Sequence, residues 1–381
     1  IIRQTGNPCI FIIPFMKLAI IGTRGIPNHY GGFEQLAEYL SVALVKKQHQ
    51  VSVYCSSRHP VQSSEWKGVQ LIHQWDPEGI IGTIGQFIYD AKCILHCRKQ
   101  SYDVVLNLGY TSSSVWLWLI KNKMRIVTNM DGLEWKRSKY KKPVQKFLKF
   151  AEALAVKHSH SLVADSLGIQ TYLQSVYNVP SAYIAYGTHV FKGLQSSVIN
   201  NYGLTAYGYN MLMARMEPEN NIELILNGLV NSKSSNPFIV IGNTQNQYGR
   251  YLIKMFSAEP RIRFLGPIYD INTVNHLRYY SNLYFHGHSV GGTNPSLLEA
   301  MGSHCLICAH DNIFNSAILQ ESAYYFKTEL EVSRYLETLQ KNQAAHQRMI
   351  EKNTERVTQA FSWDTIVNAY ESVLNDKHET S

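Results

Sequence analysis

Two glycine-rich turns, far apart in the chain, hold the residues best suited to chemistry. The first, G-T-R-G-I-P-N-H-Y-G-G from Gly22 to Gly32, follows the apolar run Lys17–Ile21. It precedes Phe33, Leu36, Ala37, Leu40, Ala43 and Leu44, which fall on one face of a helix. Glycines at such a turn let backbone approach a ligand, and the helix N-terminus behind them favours an anion. The spacing is neither G-x-G-x-x-G nor a G-K-[ST] P-loop, so neither phosphate fingerprint fits. A tight turn that binds nothing stays open on these residues alone. The second turn lies in H-G-H-S-V-G-G-T-N-P-S-L-L-E-A-M, from His286 to Met301. There Asn294 and Pro295 predict a helix start, as N-cap and first helical residue. Glu299 on that helix suits bidentate acceptance from the vicinal hydroxyls of a ribose. The competing use is a charge that merely stabilises the helix. Between the turns, Arg215 ends a strand-like run, where a planar guanidinium is placed to meet a phosphate.

These residues need elements to position them, and strand-like and helix-like runs alternate throughout, predicting an α/β fold with parallel sheets. In the first half, strands are predicted at Lys17–Ile21, Val51–Cys55, Val69–His73, Asp103–Asn107, Arg125–Asn129 and Ser161–Ala164. Helices fit at Phe33–Lys46, Ile84–Cys97, Pro143–Lys157 and Gly168–Val176. A polar stretch over 188–207 reads as a linker. Beyond it, strands are predicted at Tyr209–Ala214, Pro237–Gly242, Arg261–Phe264, Leu283–Phe285 and Cys305–Ala309. Helices there fit at Glu219–Leu229, Gln247–Phe256, Ile271–Tyr280 and Pro295–Met301. The layout is therefore a first domain over 16–187, a second over 208–358, and a last helical segment over 359–381. Ligands of such open sheets lie at the carboxyl ends of the strands, in the cleft between the domains.

The 381 residues carry a net charge of +8, which points to an anionic partner such as a phosphorylated metabolite or a lipid headgroup. Residues 1–15 read as an upstream extension, with Met16 the expected start. No segment reads as a transmembrane helix, so an intracellular or peripheral protein is expected. Six cysteines do not suggest a disulfide framework in a chain of this size. Cys305-x-x-Cys308 lacks a matching second pair and reads as buried strand, so no metal site is expected.

The order of motifs is specific. G-x-x-G-x-P…G-G-x-E, then R-x-x-P-E-x-N, then N-P-S-L-L-E-A-M, and a closing F-S-W-D-x-I-x-x-x-Y resemble the GT-B retaining glycosyltransferases of family GT4. GTRGIPNHYGGFE, NMDGLEWKR and GHSVGGTNPSLLEAM together resemble the bacterial rhamnosyltransferases of capsule and cell-wall polysaccharide synthesis. The similarity runs from Met16 to Asp376. It implies two Rossmann-like domains facing across a cleft, with the C-terminal helix returning to the first. It implies a nucleotide-sugar donor, dTDP-L-rhamnose, with no cofactor or metal, and a lipid-linked saccharide acceptor. By matching position, Glu299 contacts the ribose and Arg215 the diphosphate. Gly31 and Gly32 approach the phosphates from the other side, and His288, Gly291, Gly292, Thr293 and Asn294 line the sugar. Tyr30 and Glu34 fall on the acceptor side.

Three departures stand out. Gly291 replaces the first acid of the usual E-x7-E pair, and Asn220 replaces a phosphate-binding lysine. Asp131 stands where a cleft histidine is usual, and becomes a candidate catalytic contact beside Arg215 and Glu299. No D-x-D motif occurs, in keeping with metal independence. Finally, Trp135–Phe150 carries seven Lys/Arg, four aromatics and no acid. Trp135, Lys136, Arg137, Lys141 and Lys142 are therefore expected to meet an anionic membrane, at its cytoplasmic face. A solvated basic helix is the plainer alternative, and no nucleic-acid motif accompanies the charge. Another sugar donor, an epimerase and a non-catalytic carbohydrate binder are the rival functions.

Overall fold

The computed structural model describes residues 15–376, apart from residues 30, 122, 138, 139, 194 and 291. Among these, the first domain is an eight-stranded sheet. Its strands are β1 (Lys17–Ile21), β2 (Gln50–Ser56), β3 (Glu65–Trp66), β4 (Val69–Gln74), β5 (Val104–Leu108), β6 (Arg125–Asn129), β7 (Ser161–Ala164) and β8 (Ala182–Tyr183). The order is β3-β4-β2-β1-β5-β6-β7-β8, parallel except for the β3–β4 pair. Leu18, Ala19 and Ile20 are fully buried because helices cover both faces of β1, which is why that strand reads as an unbroken apolar run. The helices are α1 (Gly32–Lys46), α2 (Glu78–Ile81), α3 (Ile84–Cys97), α4 (Lys142–His158) and α5 (Leu167–Tyr177).

The chain then enters the second domain through α6 (Ser197–Asn200), inside the segment expected to be a linker. That segment is packed: Thr188 bridges Ser362, and Phe191 N–H donates to Gly302 O at 2.9 Å. The second sheet, again among the described residues, is six-stranded and parallel. It comprises β9 (Asn210–Met213), β10 (Phe238–Ile241), β11 (Ile262–Gly266), β12 (Tyr284–His286), β13 (Ile307–His310) and β14 (Tyr324–Phe326), in the order β11-β10-β9-β12-β13-β14. Its helices are α7 (Ile222–Val230), α8 (Gln247–Met255), α9 (Ile271–Tyr280), α10 (Pro295–Gly302), α11 (Ile313–Leu319), α12 (Glu329–Thr338) and α13 (Ala344–Ala360).

One predicted helix, Glu219–Leu229, is broken. Asn221 takes a left-handed backbone (φ 49°), separating a 3-10 turn at Pro218–Asn220 from α7. The break lets Asn221 Nδ2 donate to Gly287 O at 2.7 Å, tying the turn after β9 to the turn after β12.

The last helix, α14 (Trp363–Asn375), crosses back to the first domain. Trp363 stacks on Tyr39 with ring centroids 4.2 Å apart, and Asn129 Nδ2 donates to Tyr370 OH at 2.7 Å. Glu371 receives His49 Nε2 at 2.9 Å and pairs with Lys47. No helix among the described residues is long and apolar enough to cross a membrane.

Candidate functional site

In each sheet the strand order reverses once, and crevices at such switch points are where open α/β sheets take ligands. In the first domain the reversal lies between β1 and β5, so the Gly22–Gly32 turn leaves β1 into the crevice. In the second it lies between β9 and β12, so Arg215 and His286–His288 leave those strands into the crevice. The two crevices face one another and form a single cleft of about 1350 Å³. Gly32 and Pro295 mark the approach: a methyl on Gly32 would lie 3.4 Å from Pro295 Cγ. The N-termini of α1 and α10 thus meet across the cleft, one from each domain.

The first turn is held from within. Gly22 has φ +80°, and a side chain there would run into Leu108 O of β5. Glu34 is buried, and its Oε1 accepts from Thr23 Oγ1 at 3.1 Å and from Arg24 N–H at 2.8 Å. Glu34, expected on the acceptor side, lines the cleft, and its carboxylate also staples the turn. Gly31 and Gly32 line the cleft at the start of α1. Tyr30 and Gly291 lie outside the described residues.

Glu299 is one point at which the domains meet. Its Oε2 pairs with Arg278 Nη2 at 2.8 Å, and its Oε1 accepts from Gln35 Nε2 at 3.1 Å. Arg278 is fully buried on α9, and its guanidinium also donates to Asn275 Oδ1 and Ser296 Oγ. A buried guanidinium needs a carboxylate beside it, so Glu299 has a structural duty as well as its place in the cleft. Neither Gln35 nor Arg278 is marked by a motif. The available signal was an arginine beside Val274 and Leu277 on an otherwise inward-facing helix stripe.

Arg215, by contrast, is exposed on the cleft wall and has no ion-pair partner among the described residues. Asn220, expected only as an absent lysine, shapes this corner. Its Nδ2 donates to Arg215 O at 2.7 Å and its Oδ1 meets His288 Nδ1 at 2.9 Å. Burial, with Arg137 and Arg215 adding to it, pushes the His288 pKa down to about 4, so the ring is neutral. Asn294 caps α10, its Oδ1 accepting from Ser296 N–H at 2.9 Å, and lines the cleft.

Asp131 follows β6 in a left-handed conformation (φ 50°) and lines the cleft. Beside it is Asp165, at the end of β7, which sequence reasoning passed over. Asp165 is buried and its Oδ1 has no hydrogen-bond partner. Burial first, then the Asp131 charge, holds its pKa well above the usual carboxylate range. The second domain covers it: Thr293 Oγ1 donates to Asp165 O, and a side chain on Gly292 would collide with the Asp165 carboxyl. Only glycine fits at position 292 when the cleft is closed.

The basic segment divides in two. Lys136, Lys141 and Lys142 are exposed. Trp135 and Arg137, expected with them at a membrane, turn inward. Trp135 Nε1 donates to the buried Glu152 at 3.1 Å, beneath Lys149. Arg137 lines the cleft, 2.6 Å from Glu134 and 3.9 Å from Glu219 of the second domain. The 3-10 turn Glu134–Lys136 rotates the chain between them, which charge counting along a sequence does not register.

Comparison with known proteins agrees with this architecture. Residues 15–189 match a family model described as a domain of unknown function, DUF1972. No curated protein matches the chain in sequence. Among solved structures, sucrose-phosphate synthase from Thermosynechococcus elongatus superposes with a TM-score of 0.78 at 15% identity, covering 94% of this chain and 98% of that one. Anabaena HepE in complex with UDP and glucose gives 0.74 at 16% identity, covering 95% and 100%. A glycosyltransferase from Rickettsia africae gives 0.69 at 11% identity, covering 96% and 100%. The fold is therefore the GT-B fold of glycosyltransferases, two parallel-sheet domains about one cleft.

Proposed function

We propose that the protein is a retaining glycosyltransferase that moves L-rhamnose from dTDP-L-rhamnose to a lipid-diphosphate-linked saccharide in bacterial surface polysaccharide assembly. One observation carries the transferase reading: Glu299, Arg215 and the N-termini of α1 and α10 converge on one cleft that both domains build. A nucleoside diphosphate offers vicinal ribose hydroxyls to Glu299 and charge to Arg215 and the helix ends. Structural neighbours that bind sugar nucleotides, HepE in complex with UDP-glucose for one, support a sugar-nucleotide donor. The choice of rhamnose and of a lipid-borne acceptor rests on the motif resemblance.

In the reaction, the bond between the anomeric carbon and the diphosphate oxygen breaks as an acceptor hydroxyl oxygen bonds the same face of the sugar. The hydroxyl proton passes to the departing diphosphate. Charge gathers on the leaving group, so Arg215 and the glycine-turn amides act where charge develops. Calorimetric titration of dTDP, UDP and GDP, followed by hydrolysis of the matching sugar nucleotides, tests the donor. Tightest binding of dTDP with turnover of dTDP-L-rhamnose is expected. Preference for UDP-hexoses would replace the donor and keep the chemistry, and no nucleotide binding would end the proposal.

A further inference from the structure

The described cleft is polar where the domains meet and apolar at one edge. That edge lies between α3 and α4. Ile84, in the first turn of α3, is 68% exposed, and Val144, in the first turn of α4, is 42% exposed. Behind them Phe87 and Phe147 meet edge to face with centroids 5.5 Å apart. All four side chains line the same cleft as Arg215 and Glu299. Outside it, Ile80 and Ile81 on the short helix α2 continue the apolar surface at 80% and 44% exposure. Isolated exposed aliphatics are ordinary on a soluble protein, but a contiguous set that runs into a ligand cleft marks a contact.

Charge surrounds this apolar notch on one side. Lys141, Lys142 and Lys146 are exposed at the start of α4, and none forms an ion pair among the described residues. Elsewhere the cleft lining turns polar again: Arg24, Ser112 and the buried Asp90 line it, and Ser112 Oγ donates to Asp90. The order is cationic rim, apolar notch, polar floor. That order mirrors an amphiphile leaving an anionic bilayer, with headgroups against the lysines, a hydrocarbon chain in the notch and a sugar head on the floor.

We propose that the notch between α3 and α4 seats the hydrocarbon chain of a lipid-borne acceptor as it leaves an anionic membrane, with Ile80 and Ile81 entering the bilayer interface. The proposal rests on the transferase reading above and adds where the acceptor enters. It assigns the membrane contact to the α2–α3 corner together with the start of α4, beyond the basic segment Trp135–Phe150 alone.

The test uses one saccharide diphosphate on two carriers, a long polyprenyl chain and a short alkyl chain. Both are presented to the full-length protein in vesicles of phosphatidylglycerol and phosphatidylethanolamine. The wild-type kcat/KM is expected to favour the long chain by about tenfold, and the double variant Ile84→Ser, Val144→Ser to bring that ratio close to one. Both side chains are exposed, so an unchanged melting temperature is expected to show that the variant folds. A retained long-chain preference in the variant, or none in the wild type, overturns the notch. Flotation on the same vesicles without acceptor gives a readout independent of turnover. Ile80→Ser, Ile81→Ser is expected to weaken binding to phosphatidylglycerol vesicles several-fold, and equal binding overturns the membrane contact. If neither carrier is glycosylated by the wild type while flotation still falls in the variant, the transferase reading fails and the membrane contact stands.

Discussion

Gln35 Nε2 donates to Glu299 Oε1 at 3.1 Å, joining the first turn of α1 in one domain to α10 in the other. The opposite oxygen of the same carboxylate holds the buried Arg278. One side chain therefore joins the two walls of the cleft, neutralises a core charge and lines the cavity between them. Substitutions at Glu299 mix these duties, and they separate only in combination.

Glu299→Ala is expected to lower stability by about 3–5 kcal/mol, because Arg278 is left buried without its carboxylate. Arg278→Met added to Glu299→Ala is expected to restore most of that loss in urea titrations. Nucleoside diphosphate binding by the double variant is expected to stay weak. Recovery of binding together with stability would remove Glu299 from the ribose site.

Arg215 makes the opposite case. It is exposed and has no ion-pair partner among the described residues, so Arg215→Ala is expected to leave the melting temperature unchanged. Affinity for a nucleoside diphosphate is expected to fall on the order of 10- to 100-fold, while affinity for the bare nucleoside holds. Equal losses for both ligands would place the arginine away from the phosphates.

Asp90 predicts a pH dependence. Burial raises its pKa from 3.8 to about 6, against the opposing hydrogen bond from Ser112. The folded state binds the proton more tightly than the unfolded chain, so the stability gained from this group is full below about pH 4 and is lost as pH rises through about 6. Asp90→Asn removes the titration and keeps an acceptor for Ser112. Relative to wild type, the variant is expected to gain with pH across that window, levelling at about 3 kcal/mol. A constant difference from pH 4 to 7 would contradict the assignment.

Lys136, Lys141, Lys142 and Lys146 should act together in electrostatic membrane binding. Neutralising all four is expected to weaken binding to phosphatidylglycerol vesicles by about 1 kcal/mol per lysine at low salt, with the gap closing as salt rises. Trp135→Phe, which loses the bond to Glu152, is expected to reduce stability and leave vesicle binding intact. The reverse pattern would restore Trp135 to the surface.

The fold was legible because its strands are buried on both faces. Lys17–Ile21 and Arg125–Asn129 read as apolar or β-branched runs and end where they were expected to end. The short strand Tyr324–Phe326 was not legible, since three residues carry no periodicity. In the site, glycine turns and the Asn294-Pro295 helix start announce themselves through local backbone chemistry. Gln35, Arg278, Asp90 and Asp165 act through partners distant in sequence, and their types fit ordinary helix or strand-end positions. Arg137 shows the cost of reading charge in one dimension, because a single 3-10 turn carries it from the basic patch into the cleft.

By the proposed function, one cleft built by both domains transfers a sugar from a nucleotide to a saccharide. Its most direct test is the product formed by the purified protein from dTDP-L-rhamnose and a lipid-diphosphate saccharide, weighed by mass spectrometry and read by NMR. Addition of one deoxyhexose with the anomeric configuration of the donor is expected. Release of nucleotide without any adduct, or a product of inverted configuration, would contradict it.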